Sequence, residues 1–263
     1  MFACRRRRSE SRERRTCAGR IAGDTCRSKQ DRPRQRTGIV IPAEQLKSIA
    51  HWSRDLKDEE FERARKGIVT RAFSKGAYLF HVGDRFEHWT GVVTGLASIG
   101  LVSSKGKATS LIGVPPGGWF GEGTMLKDEP RKYDVLALRD TQMALMNRAT
   151  FQWLNENSVA FNRHLVMQLN ERLAHFIALA EFHRLLDATA RLARNITWLF
   201  NPVLYPRLGM HIEITQEEIG MLSDLSRQVA NKSLKVLEGK GLVRVEHGGI
   251  TVLDLEKLSR YGE

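Results

Sequence analysis

From residue 41 to about 66, apolar side chains return roughly once per turn at Leu46, Ile49, Trp52 and Leu56, which predicts a helical lead-in. Around Ile68 the period shortens. Runs at 68–73, 78–81, 89–93, 97–102, 109–114 and 135–146 read as short strands. Lys75-Gly76, Gly83-Asp84, Thr94-Gly95, Lys105-Gly106 and Pro115-Pro116-Gly117-Gly118 punctuate them. Many short strands with no helix between them predict an antiparallel β-roll of the jelly-roll kind. Helical spacing returns over 158–185, where Phe161, Leu165, Leu169, Leu173, Phe176, Ile177 and Ala180 form a stripe at steps of three and four. Such a helix is about 40 Å long. One small roll would not cover a stripe of that length, so a self-pairing coiled-coil seam is expected, making these seven residues a homodimer interface. A further helix, 190–200, follows Asp187 and stops before Asn201-Pro202.

The most informative stretch is 214–253. Thr215 is placed to cap a short helix, its hydroxyl accepting from the Glu218 amide while the Glu218 carboxylate reaches back. Ser223-Asp224 breaks that helix, and Ser226 caps a second one that runs to Glu238, with Gly239 at the position of a left-handed C-cap. On the second helix Val229, Ala230, Leu234 and Leu237 form an apolar face. Gln228, Asn231, Lys232 and Lys235 share the opposite face, with Arg227 at its edge. Arginine can fork onto guanine, glutamine and asparagine onto adenine, and lysine neutralises phosphate. Residues 242–245 and 250–253 flank Gly248-Gly249, a hairpin. Two short helices and a hairpin make a winged helix-turn-helix, with Thr215, Ser226, Arg227, Gln228, Asn231, Lys232 and Lys235 as its candidate DNA contacts.

Charge alters this picture less than its total suggests. The chain of 263 residues carries a net +12, but residues 1–38 hold 13 basic and 4 acidic residues. The body therefore keeps 29 basic and 26 acidic residues, a net of +3, so the DNA reading rests on where charge sits in 227–240. The Arg-dense segment 1–38 is expected to be a disordered tail. Cys4, Cys17 and Cys26 all lie in it and match no zinc spacing; an iron–sulfur cluster would want a fourth cysteine, and the sequence has three. No apolar run reaches 18 residues and no secretory apolar region follows the first residues, so the expected location is the cytoplasm, with no membrane partner.

The order of lead-in, β-roll, long helix and winged helix resembles the Crp–Fnr superfamily of bacterial transcription regulators over about residues 40–258. Two stretches carry the resemblance most specifically. Residues 117–138, GGWFGEGTMLKDEPRKYDVLAL, are similar to the phosphate-binding cassette of cyclic-nucleotide domains. Residues 214–238, opening their second helix on Ser226-Arg227-Gln228, are similar to the family's DNA-reading motif. The resemblance implies an α+β protein: a tail to 38, a β-roll sensor domain over 39–157, a dimerisation helix over 158–185 and a winged helix-turn-helix over 186–263. It also implies a homodimer on palindromic double-stranded DNA, Arg227, Gln228 and Lys232 as base readers, and RNA polymerase as a partner.

In cyclic-nucleotide-binding members a Glu accepts from the ribose hydroxyl and an Arg followed by Ser or Thr holds the phosphate. Gly121, Glu122 and Arg131 match, but Lys132 stands where the hydroxyl belongs and bulky Tyr133 follows. Phe176 and Ile177 occupy the positions of the adenine-contacting hydroxyls. An unpaired buried polar group costs roughly 1–3 kcal/mol. These departures predict a degenerate nucleotide site, no cofactor, and a structural cassette in which Glu122 pairs with Arg131.

Other readings remain on the residues alone. A small-ligand-sensing interaction module would want aromatic anchors that the face of 227–238 lacks. A cupin-type metalloenzyme would want a close His pair with a carboxylate, and His81 and His88 are separated by six intervening residues that span a turn. Haem would need an axial ligand; His81, His88, His175 and His183 are the histidines that come into question. No nucleophile–base constellation or phosphate-cradling glycine loop is present, so no enzyme is expected.

Overall fold

The computed structural model describes residues 39–85, 87–102 and 108–262. The tail 1–38, its three cysteines and the Lys105-Gly106 turn lie outside them. The lead-in is broken rather than continuous: β1 (Ile39–Val40), α1 (Ala43–Ile49), a 3₁₀ turn (His51–Asp55) and α2 (Asp58–Lys66). Eight strands and two helices follow: β2 (Ile68–Phe73), β3 (Tyr78–Phe80), β4 (His88–Thr94), β5 (Ala97–Val102), β6 (Ala108–Val114), β7 (Trp119–Phe120), α3 (Glu122–Lys127), β8 (Asp134–Ala137), β9 (Thr141–Asn147) and α4 (Arg148–Asn157). The run expected as one strand over 135–146 is two, parted at Leu138–Asp140. Neither α3 nor α4 was expected from the pattern of apolar positions; both are short, and tertiary packing outweighs propensity at that length.

Two antiparallel sheets face each other, one in the order β1-β2-β9-β4-β7 and one in the order β3-β8-β5-β6. Phe73, Val92, Ile99, Ile112, Val114, Phe120, Val135, Met143 and Leu145 fill the space between them. A second cluster closes one end of the roll, where Trp52, Trp89, Trp119, Phe151 and Phe161 meet. Its ring centroids lie 4.5 Å apart for Trp89–Trp119 and 5.2 Å apart for Trp52–Trp89.

Helix α5 (Val159–Leu185) starts where expected, Ser158 accepting from the Phe161 amide at 3.2 Å. Its stripe is corrected. Phe161 and Leu165 point into the roll's own core, while Leu169, Leu173, Phe176, Ile177 and Ala180 are exposed. A step of four over-rotates an α-helix by about 40°, so a stripe stepping 161, 165, 169, 173 winds from the inner face to the outer one. The inner face instead steps four, three, four, three through Phe161, Leu165, Gln168, Arg172, His175, Leu179 and Phe182. Its middle is polar.

The remaining elements are α6 (Ala188–Leu199), β10 (His211–Glu213), α7 (Gln216–Leu222), α8 (Arg227–Gly239), β11 (Val243–Glu246), β12 (Gly249–Val252) and α9 (Leu255–Ser259). Strand β10, absent from the sequence reading, makes the hairpin a three-stranded sheet in the order β10-β12-β11. The left-handed residue after α8 is Gly241 at φ 69°, not Gly239, because the helix runs on through Gly239. Leu96 and Leu138 of the roll join Leu192, Ile196, Ile219, Leu234 and Leu237 in one core. Arg139 bridges the same junction, meeting Glu218 at 2.5 Å and Glu213 at 3.5 Å.

Candidate nucleic-acid interface and nucleotide cassette

The helix pair α7–α8 is set by local chemistry. Thr215 accepts from the Glu218 amide at 3.2 Å and Glu218 accepts from the Thr215 amide at 2.7 Å, the reciprocal box expected. Replacing such a cap by alanine costs about 1 kcal/mol. Ser226 accepts from the Val229 amide at 3.3 Å and starts α8, after a turn in which Asp224 takes φ 51°. Ala230, Ser233, Leu234 and Leu237 face the core. Arg227, Gln228, Lys232 and Lys235 are exposed and, with Asn231, line one open groove on the outer side.

Three of the residues expected on this surface turn out to do local work as well. Thr215 and Ser226 are caps. Asn231 is only part-exposed: its amide donates to Gln216 Oε1 at 2.6 Å, tying the second helix to the first turn of α7. Val229, expected inside, is 39% exposed at the edge of the polar face. Gln216 and Arg139 went unrecognised in the sequence. Nothing local marks them, since each acts on a residue at least fifteen positions away.

The cassette presents the opposite arrangement. Gly121 (φ 94°) turns the chain into α3 and leaves room for Arg131: a Cβ there would stand 2.1 Å from a guanidinium nitrogen. Arg131 is 1% exposed. Its guanidinium lies 4.3 Å from the Phe80 ring centroid and donates to the His88 carbonyl at 2.7 Å; burial lowers its pKa, opposed by Tyr133 and Glu122. Glu122 is corrected: its ion pair is with Arg172 of α5, at 3.2 Å, rather than with Arg131. Arg172 also donates to the Trp119 carbonyl. Burial opposes the Arg172 charge, yet Glu122, Tyr205 and Tyr133 carry its pKa upward. Lys132 is exposed and pairs with Glu129 at 2.5 Å, outside the buried cluster. Glu122 Oε2 has no hydrogen-bond partner, so one acceptor for a ribose hydroxyl remains. Phe176 and Ile177 offer hydrocarbon on the outer face.

Beyond the cassette, burial holds His164 and His175 at a pKa of about 4. Hydrogen bonding to Gln168 opposes that shift at His164, and Arg172 adds to it at His175. The His175 ring stacks on Trp198 at 4.3 Å. Among the described residues no three His, Cys, Asp or Glu side chains gather to hold a metal ion, and no helix is long and apolar enough to cross a membrane.

A cyclic nucleotide-binding domain model matches residues 70–158 and a Crp-like helix-turn-helix domain model matches residues 171–261. The cAMP-activated global transcriptional regulator CRP of Pasteurella multocida is 27% identical over 179 residues, covering 66% of this chain and 85% of that protein. The cAMP-activated global transcriptional regulator Vfr of Pseudomonas aeruginosa is 27% identical over 183 residues, covering 67% and 85%. The fold is also that of FixK2 from Bradyrhizobium japonicum, with a TM-score of 0.61 at 19% identity, over 73% of this chain and 96% of that one.

Proposed function

The chain belongs to the Crp–Fnr superfamily of transcription regulators, with no enzyme among the relatives compared, and from that premise we propose that it is a sequence-specific, homodimeric regulator whose nucleotide site is closed. The observation that carries the DNA-reading half is the outer face of α8. Arg227, Gln228, Lys232 and Lys235 stand exposed there, and the body's modest net charge makes that concentration local. Arg227, Gln228 and Lys232 read bases and Lys235 meets phosphate. Thr215 and Ser226 hold the helix ends at the duplex. Two copies pair through the outer side of α5, and their recognition helices enter successive major grooves about 34 Å apart on a palindrome. Leu173 at 60% exposure, Phe176 at 46% and Ile177 at 63% support that pairing, because monomeric surfaces rarely leave such a contiguous apolar strip open. By the family resemblance, RNA polymerase is the partner on the promoter and the cytoplasm the setting.

The CRP and Vfr relatives named above are described as cAMP-activated. In this chain Arg131, the residue that would hold phosphate, is engaged by the Phe80 ring and the His88 carbonyl. The regulator therefore binds its operator without a cyclic nucleotide. The partition into a roll over 39–157, a pairing helix over 158–185 and a reading unit over 186–263 follows from these roles.

Selection of bound DNA from a random pool, with and without cyclic AMP or cyclic GMP, tests this reading. One palindromic motif with half-sites a helical turn apart is expected in all three pools. Enrichment that requires a nucleotide would overturn the closed site, and no enrichment would overturn the regulator.

A further inference from the structure

On the reading that α8 enters the major groove, its base-contacting set differs from the one its polar letters suggest. Asn231 is the member with the chemistry to fork onto adenine. Its amide is committed to Gln216 at 2.6 Å, and the side chain is only part-exposed, so reading a base would first break the tie between α8 and the start of α7. Val229 presents the reverse case. Its amide completes the Ser226 cap, which fixes it in the first turn of α8, and its side chain is 39% exposed beside Gln228 and Lys232. Residues at the N-terminal end of a recognition helix are the ones that reach base edges. The only apolar group a major groove offers is the thymine C5-methyl. Val236, at 38%, is as open as Val229 but lies two turns further along the helix.

We infer that Val229 packs against a thymine methyl in each operator half-site, and that Asn231 positions α8 without touching a base.

The probe is the operator selected from the random pool, with each thymine replaced in turn by deoxyuracil, which removes only the methyl. One thymine per half-site is expected whose replacement weakens wild-type binding about fourfold, the worth of one buried methyl-sized group. With Val229→Ala that replacement should cost nothing further, while Val236→Ala should keep the full penalty. Asn231→Ala and Gln216→Ala should weaken selected and random DNA by the same factor and leave the motif unchanged. A wild-type protein indifferent to every thymine methyl would overturn the inference. So would an equal penalty in Val229→Ala, or loss of one adenine from the motif of Asn231→Ala. All of these outcomes presuppose a selected motif; its absence is the separate failure of the DNA-reading proposal.

Discussion

Helix α8 buries Ala230, Leu234 and Leu237 and turns Gln228, Lys232 and Lys235 to solvent, whereas the middle turns of α5 bury Gln168, Arg172 and His175 and expose Leu173, Phe176 and Ile177. The first is the usual sense of a surface helix. The second is inverted, and both sides of the inversion carry a cost. Apolar area left in water forgoes roughly 25 cal/mol per Å². Buried charge is tolerated only when paired, as Arg172 is by Glu122 and the Trp119 carbonyl. The contrast teaches where each helix finds its missing partner. On the proposed function, the polar face of α8 meets a polyanion and the apolar face of α5 meets a copy of itself.

The comparison breaks most completely at α5. Leu173→Glu with Ile177→Glu puts four carboxylates into the proposed seam, so sedimentation should find monomers and operator affinity should fall roughly a hundredfold or more, with each half-site now bound alone. A dimer of undiminished affinity would mean the outer face pairs elsewhere.

Acid attacks the inner face of the same helix. Burial holds His164 and His175 at about 4, below the usual 6.5, so the unfolded chain takes up their protons first as pH falls. Their stability contribution is complete above about pH 6.5 and is lost progressively toward pH 4, on the order of 3 kcal/mol for each ring. His175→Phe, which keeps a ring on Trp198, should flatten that acid slope in denaturation curves. A slope unchanged in the variant would remove His175 from the account.

At α8 the effects are smaller and selective. Arg227→Ala should cost about 1–3 kcal/mol at the operator and relax preference at one base pair. Equal loss on random DNA would move Arg227 to the phosphates. Lys235→Ala should do what Arg227→Ala does not, weakening all sequences alike and reducing the salt slope of binding by about one. A change of motif in that variant would make Lys235 a reader.

How much of this was legible beforehand divides along the same two helices. The caps at Thr215 and Ser226 were visible as letters and both form, because a cap is made within three residues of itself; Ser158 and Asp187 cap their helices in the same way. The polar face of α8 was visible for the same reason: helical geometry alone groups Gln228, Lys232 and Lys235. The stripe on α5 was visible but misassigned. Following apolar letters led off the inner face at Leu169, since the residues that continue inward are Gln168, Arg172 and His175. Only the roll, which supplies Glu122, makes a buried arginine there admissible.

What the sequence determined by itself, then, is whatever depends on spacing along one element: the strand and helix periods, the caps, the winged helix-turn-helix and its outward charges. What the tertiary structure decided is which partners the polar and charged groups find within the chain. Glu122 going to Arg172, Arg131 to Phe80 and His88, and Asn231 to Gln216 are pairings across 15 to 51 residues of chain. No local pattern encodes such pairings, because the free energy of a charge depends on the partner and the water the fold leaves beside it.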